Sequence, residues 1–294
     1  MKLIDDIQIT QKIIAENLAS FFTEKKVAVR RIDGLCVAIV EQVADLTLRP
    51  SKRIRPFLVG LGYEMVKGKR KKEKGALDET VLSAMLAIEL FHSFALIHDD
   101  IMDEDVERRG GPTVHEQFRL SAVSFQLSAK KTAHFGESMA ILAGDLALVW
   151  AEELMNKTDN EKTIRLFSKM KEEVAFGQVL DVMHQAGYKN IAQDKINELK
   201  TAWYTVVRPL QIGAALAGAS EATLTVLARF GVPVGKLFQL KDDLMDNQIT
   251  QKKFDQQVVP LQKEAHIALA GLKISHELKT SLEDLARFVI ERTS

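Results

Sequence analysis

The chain holds a single cysteine, Cys36, so no disulfide can close within it. A reducing, cytoplasmic setting fits that usage. Prolines number six and glycines sixteen in 294 residues, too few for an all-β chain built on many tight turns. Net charge is absent as well, with 40 Lys and Arg against 40 Asp and Glu. That excludes a global positive field able to hold nucleic acid or an anionic membrane, and any anion site must be local. No apolar run reaches the roughly 18 residues a membrane-spanning helix needs, so no integral membrane segment is expected. The opening residues carry Lys2, Asp5 and Asp6 before any apolar run forms, which argues against a signal peptide. What is abundant is ordinary: 46% hydrophobic and 27% charged residues, the composition of a globular chain and not of a disordered one.

Apolar residues recur at three and four spacing, the signature of helices. Val81, Met85, Ile88, Phe91 and Ala95 form one stripe; Ala228, Phe230 to Val234, Leu237 and Leu240 form another. The segment from about Leu77 to Met102 is apolar on several faces, which predicts a central, buried helix. No period-2 strand or Asn-Gly hairpin stands out. Breaks are expected at Arg49–Ser51, Lys67–Gly75, Arg109–Pro112, Thr158–Glu161, Gly187–Asn190 and Gln248–Pro260. None is long or biased enough for a linker, so residues 1–294 read as one all-α domain, a bundle of antiparallel helices. The basic run at Lys67–Gly75 reads as a solvated loop in a neutral chain.

One distant echo carries chemistry: HDDIMDED at His98–Asp105 resembles KDDLMDN at Lys241–Asn247. Asp99 and Asp103 are four residues apart, so on a helix they share a face, with Asp100 alongside. Asp242, Asp243 and Asp246 repeat the spacing. Carboxylates one turn apart repel, and a hard divalent cation offsets that. A single such motif is as readily two solvated acidic helix ends; two copies, each closing an apolar stretch, favour metal. Cations accompany them. Lys52, Arg53 and Arg55 precede Pro56, and Arg108–Arg109 follow the first acidic cluster. Arginine forks suit phosphate oxygens. His92, seven residues before Asp99, sits about two turns away on the same side. Arg108 and Arg109 could instead merely pair with Asp103 or Glu107, and a lone histidine is more often a satisfied core group. Together these groups point to a diphosphate substrate.

With these residues assembled, the chain resembles the trans-isoprenyl (polyprenyl) diphosphate synthases. ELFHSFALIHDDIMDEDVERRGGPTVH at Glu89–His115 is similar to their first aspartate-rich region, and FQLKDDLMD at Phe238–Asp246 to their second. KRIRP at Lys52–Pro56, AGDLAL at Ala143–Leu148, GQVLD at Gly177–Asp181 and Lys200–Thr201 match further elements in the family's order. The resemblance implies an all-α isoprenoid synthase fold with a deep central cavity. It implies a magnesium-dependent prenyltransferase, with three ions per active site, that condenses isopentenyl diphosphate with an allylic diphosphate.

Carried over residue by residue, the resemblance assigns metal binding to Asp99, Asp103 and Asp242, supported by Asp100, Asp243 and Asp246. It places the allylic diphosphate on Arg108 and Lys200, and isopentenyl diphosphate on Lys52, Arg55, His92 and Arg109. The metals draw charge from the leaving diphosphate so that the C–O bond ionises. The Lys200 carbonyl region, Thr201, Gln178 and Gln239 face the allylic cation with oxygen dipoles. The resemblance also implies a homodimer. Phe94, five residues before Asp99, is expected to floor the product tube, with Ala95 beside it. A bulky floor with the compact DDxxD motif implies a linear all-trans product of geranylgeranyl length, C15 and C25 being the neighbours.

Two departures stand out. Pro50 and Ser51 occupy positions where the family usually has two glycines. The stretch Asn247–Pro260 is shorter than the family's lid, with Gln256 where a late lysine would stand and Lys252 or Lys253 as its substitutes. The short lid suits a second reading, a catalytically weak subunit that tunes a partner synthase. A third reading is a class I terpene cyclase, against which Lys52, Arg55 and His92 count together, because such cyclases need no isopentenyl diphosphate site.

Overall fold

The computed structural model describes residues 2–68, 78–122, 128–272 and 274–291, and these are overwhelmingly helical. The basic run at Lys67–Gly75 falls, beyond Gly68, outside them. The helices are α1 (Lys2–Arg30), α2 (Val37–Leu48), α3 (Ile54–Lys67), α4 (Glu79–Met102), α5 (Val114–Ala122), α6 (Ala129–Asn156), α7 (Glu161–Gln185), α8 (Gln193–Asn197), α9 (Arg208–Leu216), α10 (Glu221–Met245), α11 (Gln251–Ala270) and α12 (His276–Glu291). Their ends follow local chemistry. Asn160 and Ser220 accept hydrogen bonds from the backbone N–H of Thr163 and Thr223, capping α7 and α10. Gly187 and Gly218, at φ 85° and 86°, close α7 and α9 in the left-handed region that glycine enters without strain.

The chain forms two compact units. The first comprises Ile7–Pro56 and Met85–Lys157. Here α1 meets α6 through Phe21, Phe22 and Trp150, whose ring centroids lie 5.7 to 6.1 Å apart in edge-on pairs. The α4 residues Met85, Ile88, Phe91 and Ile97 are buried, each contributing about 1.5–3 kcal/mol by removal from water. α4 is apolar and long enough to cross a membrane by composition, yet 67% of its most apolar window is buried inside the fold, the environment of a core helix.

The second unit comprises Met1–Asp6, Phe57–Ala84 and Thr158–Ser294. Between α8 and α9 the chain winds into a ten-residue π-helix, Glu198–Val207. α10 packs directly on it at Gly235, where a Cβ would fall 2.3 Å from Ala202 Cα. A buried arginine ties the elements around it together. Arg208 holds both carboxylate oxygens of Glu173 on α7, donates to Gln211 Oε1 at 2.7 Å and lies 4.4 Å from the Trp203 ring centroid. Gln211 Nε2 in turn donates to the Leu224 carbonyl of α10 at 2.9 Å.

Two sequence expectations need correcting. The stretch Gln248–Pro260 is not a break: α11 starts at Gln251, its first turn capped by Thr250, and Pro260 lies inside it. Phe254, Val258, Ala265 and Leu269 are buried along one face, and that packing outweighs the helix bond the proline removes. At Arg109–Pro112, where only a break was expected, a two-residue antiparallel ladder forms, with Arg108 opposite Gly111 and Glu107 opposite Pro112. Its turn residues Arg109 and Gly110 have φ 53° and 74°, the doubly left-handed geometry that hairpins favour. The usual Asn-Gly signal is replaced by Arg-Gly.

Candidate active site

The echo in the sequence is an echo in structure. In the first unit Asp103 N–H bonds the Asp99 carbonyl at 2.8 Å, and Asp105 N–H reaches back to the Asp100 carbonyl at 2.9 Å, with Glu104 at φ 55° between them. In the second, Asp246 N–H bonds the Asp242 carbonyl at 2.9 Å and Gln248 N–H the Asp243 carbonyl at 2.8 Å, with Asn247 at φ 59°. Both acidic helices end in the same left-handed cap. Each helix C-terminus, already the negative end of a dipole, therefore carries further negative charge. That arrangement is unfavourable unless a cation comes to it.

In the first unit Asp99 is half-buried and Asp103 exposed, one turn apart, whereas Asp100 is fully buried. Arg108 clamps Asp100: its Nε and Nη2 lie 2.6 Å from Asp100 Oδ1, and Nη2 also meets Asp105 Oδ2 at 2.6 Å. Burial pushes the Asp100 carboxyl up to about 6, against the pull of Arg108. Arg108 itself is raised by Asp100 in spite of its own burial. Asp100 Oδ2 is buried with no hydrogen-bond partner among the described residues. No three carboxylate, imidazole or thiol groups among those residues converge as a ready ligand set. Magnesium asks for no such cage, taking one or two carboxylates and filling its shell with water and substrate phosphate. The hard oxygens of Asp99 and Asp103, and those of Asp242 and Asp246, fit that ion.

The cations next to this helix end are braced from α2. Arg49 donates to the carbonyls of Arg108 at 2.6 Å and Pro112 at 2.9 Å while its Nη2 pairs with Asp45 at 2.6 Å, so it grips the hairpin from behind. Arg53, at φ 50°, and Arg109 both hold left-handed backbone, at a cost of roughly 1–2 kcal/mol each. Lys52 and Arg55 are half-buried beside Arg53, which is buried. Arg55 Nη1 lies 3.2 Å from His92 Nε2. Arginine only donates, so Nε2 accepts and the imidazole proton sits on Nδ1.

Burial first, then the Arg55, Arg109, Arg53 and Arg108 guanidiniums, hold the His92 pKa well below its usual 6.5. Below pH 6.5 the unfolded chain therefore takes up a proton that the folded chain refuses. Stability from this group is present above that pH and falls as pH drops, by about 1.4 kcal/mol per unit. Urea melts on the acid side of pH 6.5 should show wild type losing more stability than His92→Gln as the pH falls. Parallel losses in the two proteins would refute the assignment.

Phe94 and Ala95 are half-buried on α4. The Phe94 ring lies 5.4 Å from Phe91 and 4.7 Å, edge-on, from His98. His98 in turn rests on Gly144 of α6, where a Cβ would fall 2.3 Å from the imidazole.

In the second unit the π-helix carries Lys200 and Thr201. Lys200 Nζ pairs with Asp181 Oδ2 at 2.6 Å, and Gln178 lies half-buried on α7, three residues before that aspartate. Thr201 Oγ1 donates to Gln239 Oε1 at 2.7 Å, and Gln239 Nε2 donates to Asp243 Oδ1 at 2.7 Å. Asp243 thereby fixes which end of the Gln239 amide faces Thr201. The wider winding shifts carbonyls out of the normal i→i+4 ladder, a feature often found at functional positions. An open apolar pocket of about 590 Å³, lined by Trp203, Val226, Val232, Pro233, Ile267 and Gly271 among others, also lies in this unit, but no aspartate of the two acidic motifs lines it.

Sequence reasoning had given no role to Arg49, Asp45, Glu89 or Asp105. Glu89 and Asp105 stand inside the quoted acidic region, and Arg49 ends a helix; only contacts across the fold reveal what they hold. Lys252, Lys253 and Gln256 lie exposed on α11.

A family profile described as Polyprenyl synthetase matches residues 37–281. A short chain isoprenyl diphosphate synthase of Methanocaldococcus jannaschii is 33% identical over 244 residues, 82% of this chain and 66% of that protein. A geranylgeranyl diphosphate synthase of Methanosarcina mazei is 35% identical over 202 residues, 66% of this chain and 54% of the other. The matches thus span between half and two thirds of these relatives' own length. A crystal structure of a geranylgeranyl pyrophosphate synthase from Corynebacterium glutamicum, complexed with isoprenyl diphosphate and magnesium, superposes with a TM-score of 0.85 at 26% identity. That superposition covers 96% of this chain and 98% of the other.

Proposed function

Given that this chain belongs to the polyprenyl synthetase family, we propose that it is a prenyltransferase joining isopentenyl diphosphate to an allylic diphosphate, with a linear all-trans product of about C20. The observation that carries the reading is the acidic helix end formed twice, with the same left-handed cap and the same carboxylate spacing. Magnesium, three ions per site in this reading, would be held by Asp99, Asp103 and Asp242 with Asp246 in support. It would supply charge withdrawal from the leaving diphosphate.

The chain's own residues do the rest. Arg108 and Lys200 hold the allylic diphosphate; each has a carboxylate partner at 2.6 Å that aims its cationic head. Lys52, Arg55 and Arg109 hold the isopentenyl diphosphate, and neutral His92 offers its Nδ1–H. Thr201 Oγ1, Gln239, Gln178 and the carbonyls of the π-helix turn oxygen dipoles toward positive charge developing on the allylic carbon. The alkene attacks that carbon, and the released diphosphate takes the proton lost from the new chain. Exclusion of water keeps the cation from being quenched.

The deciding experiment incubates the purified chain with magnesium, labelled isopentenyl diphosphate and each allylic starter in turn. Chain elongation by this protein alone, ending near C20, is expected. Failure to elongate any starter would sink the reading and leave the weak partner subunit in its place.

Product length is tested at Phe94. Each isoprene unit adds five carbons whose burial is favourable only while the tube has room. Phe94→Ala should therefore lengthen the product without abolishing turnover. An unchanged product would move the floor to Phe91 or Met85, both buried further along α4.

The proposed assembly is a homodimer. Phe135, Leu142 and Val149 recur every seventh residue on α6 and are exposed, an apolar stripe suited to a second copy. Light scattering should return twice the 32.9 kDa of one chain; a single-chain mass at micromolar concentration would overturn it.

A further inference from the structure

We propose that Glu89 is a positioning residue for the isopentenyl diphosphate half of the site, acting through Arg109 and Arg53; this rests on the function proposed above. Glu89 is 1% exposed, in the middle of α4, the one helix among the described residues that is long and apolar enough by composition to cross a membrane. A carboxylate there is costly unless paired and hydrogen-bonded. Its partners are arginines from two separate loops. Arg53 Nη1 donates to Glu89 Oε1, and Arg109 Nη2 stands 3.9 Å from that same oxygen.

Both arginines also reach one helix end. Arg53 Nη2 donates to the carbonyl of Thr47, and Arg109 Nη1 to that of Leu46 at 3.4 Å. These carbonyls belong to the last turn of α2, where unpaired carbonyls and the helix dipole favour cations. Glu89 and the α2 terminus therefore form one buried negative seat for two guanidiniums. The seat is itself held: Thr47 Oγ1 donates to Ser93 Oγ at 2.8 Å, and Ser93 Oγ to the Glu89 carbonyl at 3.2 Å.

The two arginines fill this seat differently. The Arg53 side chain is 3% exposed and buried against Glu89, so it has no face left for a substrate. The Arg109 side chain is 14% exposed and stands at ion-pair distance from Glu89, so its guanidinium is held beside the carboxylate while still reaching the surface. Arg53 thus cancels most of the Glu89 charge and pins the loop that bears Lys52 and Arg55. The remainder steers Arg109, whose left-handed backbone at φ 53° would otherwise relax. His92, one turn beyond Glu89 on α4, completes the same face through Arg55. Arg108 lies outside this seat, on Asp100 and Asp105. The two neighbouring arginines therefore have separate carboxylate anchors, and this predicts that they can be perturbed one at a time.

Titration calorimetry with isopentenyl diphosphate, and separately with a non-ionising allylic thiodiphosphate plus magnesium, reads the two halves without turnover. Glu89→Gln should weaken isopentenyl diphosphate about tenfold and leave the thiodiphosphate within about twofold. The loss should be non-additive with Arg109→Ala and additive with Arg108→Ala, a coupling that a general loss of structure would not give. Should Glu89→Gln not fold, the double variant Arg53→Met with Glu89→Gln removes both buried charges and should show the same selective loss. Unchanged isopentenyl diphosphate affinity, or equal weakening of both ligands, overturns the proposal. Wild type that binds isopentenyl diphosphate through Glu89 but condenses nothing would leave the positioning role standing and remove the synthase reading.

Discussion

Asp99→Ala is expected to lower turnover about a thousandfold, roughly 4 kcal/mol of transition-state stabilisation, while the protein stays folded. Asp99 is half-buried at a helix end and fills no core volume. Deleting it also relieves repulsion from Asp100, Asp103 and the helix dipole, so stability should hold or rise slightly. In the proposed reading turnover should suffer because Asp99 would be one of the few oxygens the protein offers a magnesium ion, which would supply charge withdrawal from the leaving diphosphate. Asp242→Ala should behave alike, since its helix end repeats the geometry. A chelator should abolish activity and added magnesium restore it. Rates measured beside circular dichroism decide the matter: an Asp99→Ala protein as active as wild type would show that the acidic ends are merely solvated.

The largest effect on stability is expected at Arg208, far along the chain from either acidic motif. Arg208→Ala should cost about 3–5 kcal/mol, because it strands a charge that the folded protein has taken out of water. The arginine side chain is 3% exposed and holds the Glu173 carboxylate, the Gln211 amide and the Trp203 ring together. It follows the last residue of the π-helix, so losing it should also loosen the backbone that carries Lys200 and Thr201. Removing both charges with Arg208→Met and Glu173→Gln should cost much less than the single change, because no unpaired charge remains. Denaturant midpoints of the three variants test this. A double variant as unstable as the single one would mean that lost packing, not the stranded charge, sets the cost.

Much of this protein is legible in the sequence, because much of it rests on local periodicity. The apolar stripe Val81, Met85, Ile88 and Phe91 is buried as its spacing predicts. The two acidic motifs lie at helix ends because four-residue spacing puts side chains on one face whatever the rest of the fold does. The family, too, is written in those motifs, and the profile match from residue 37 to 281 bears it out. Local signals misled where packing outweighed them. Pro260 reads as a breaker, yet α11 runs through it because Phe254, Val258, Ala265 and Leu269 are buried along one face. Arg109–Gly110 lacks the common turn dipeptide, yet it turns, because Arg49 grips the carbonyls of Arg108 and Pro112 on either side of it.

The residue types needed for diphosphate chemistry, their order and their helical phase were determined by the sequence alone, since each follows from neighbours a few positions apart. The tertiary structure alone decided which charge belongs to which. Asp100 could have paired with any nearby cation and took Arg108; Lys200 took Asp181, nineteen residues back. Arg53, which stands in sequence between two cations assigned to the isopentenyl diphosphate, is spent on Glu89, 36 residues away. Such pairings depend on which side chains are buried together, because water screens a charge that stays exposed and leaves a buried one dependent on its partner. The π-helix belongs with them. Its ten residues have no distinctive pattern, and the wide winding goes with the close approach of Gly235 to Ala202, a contact between segments that are distant along the chain.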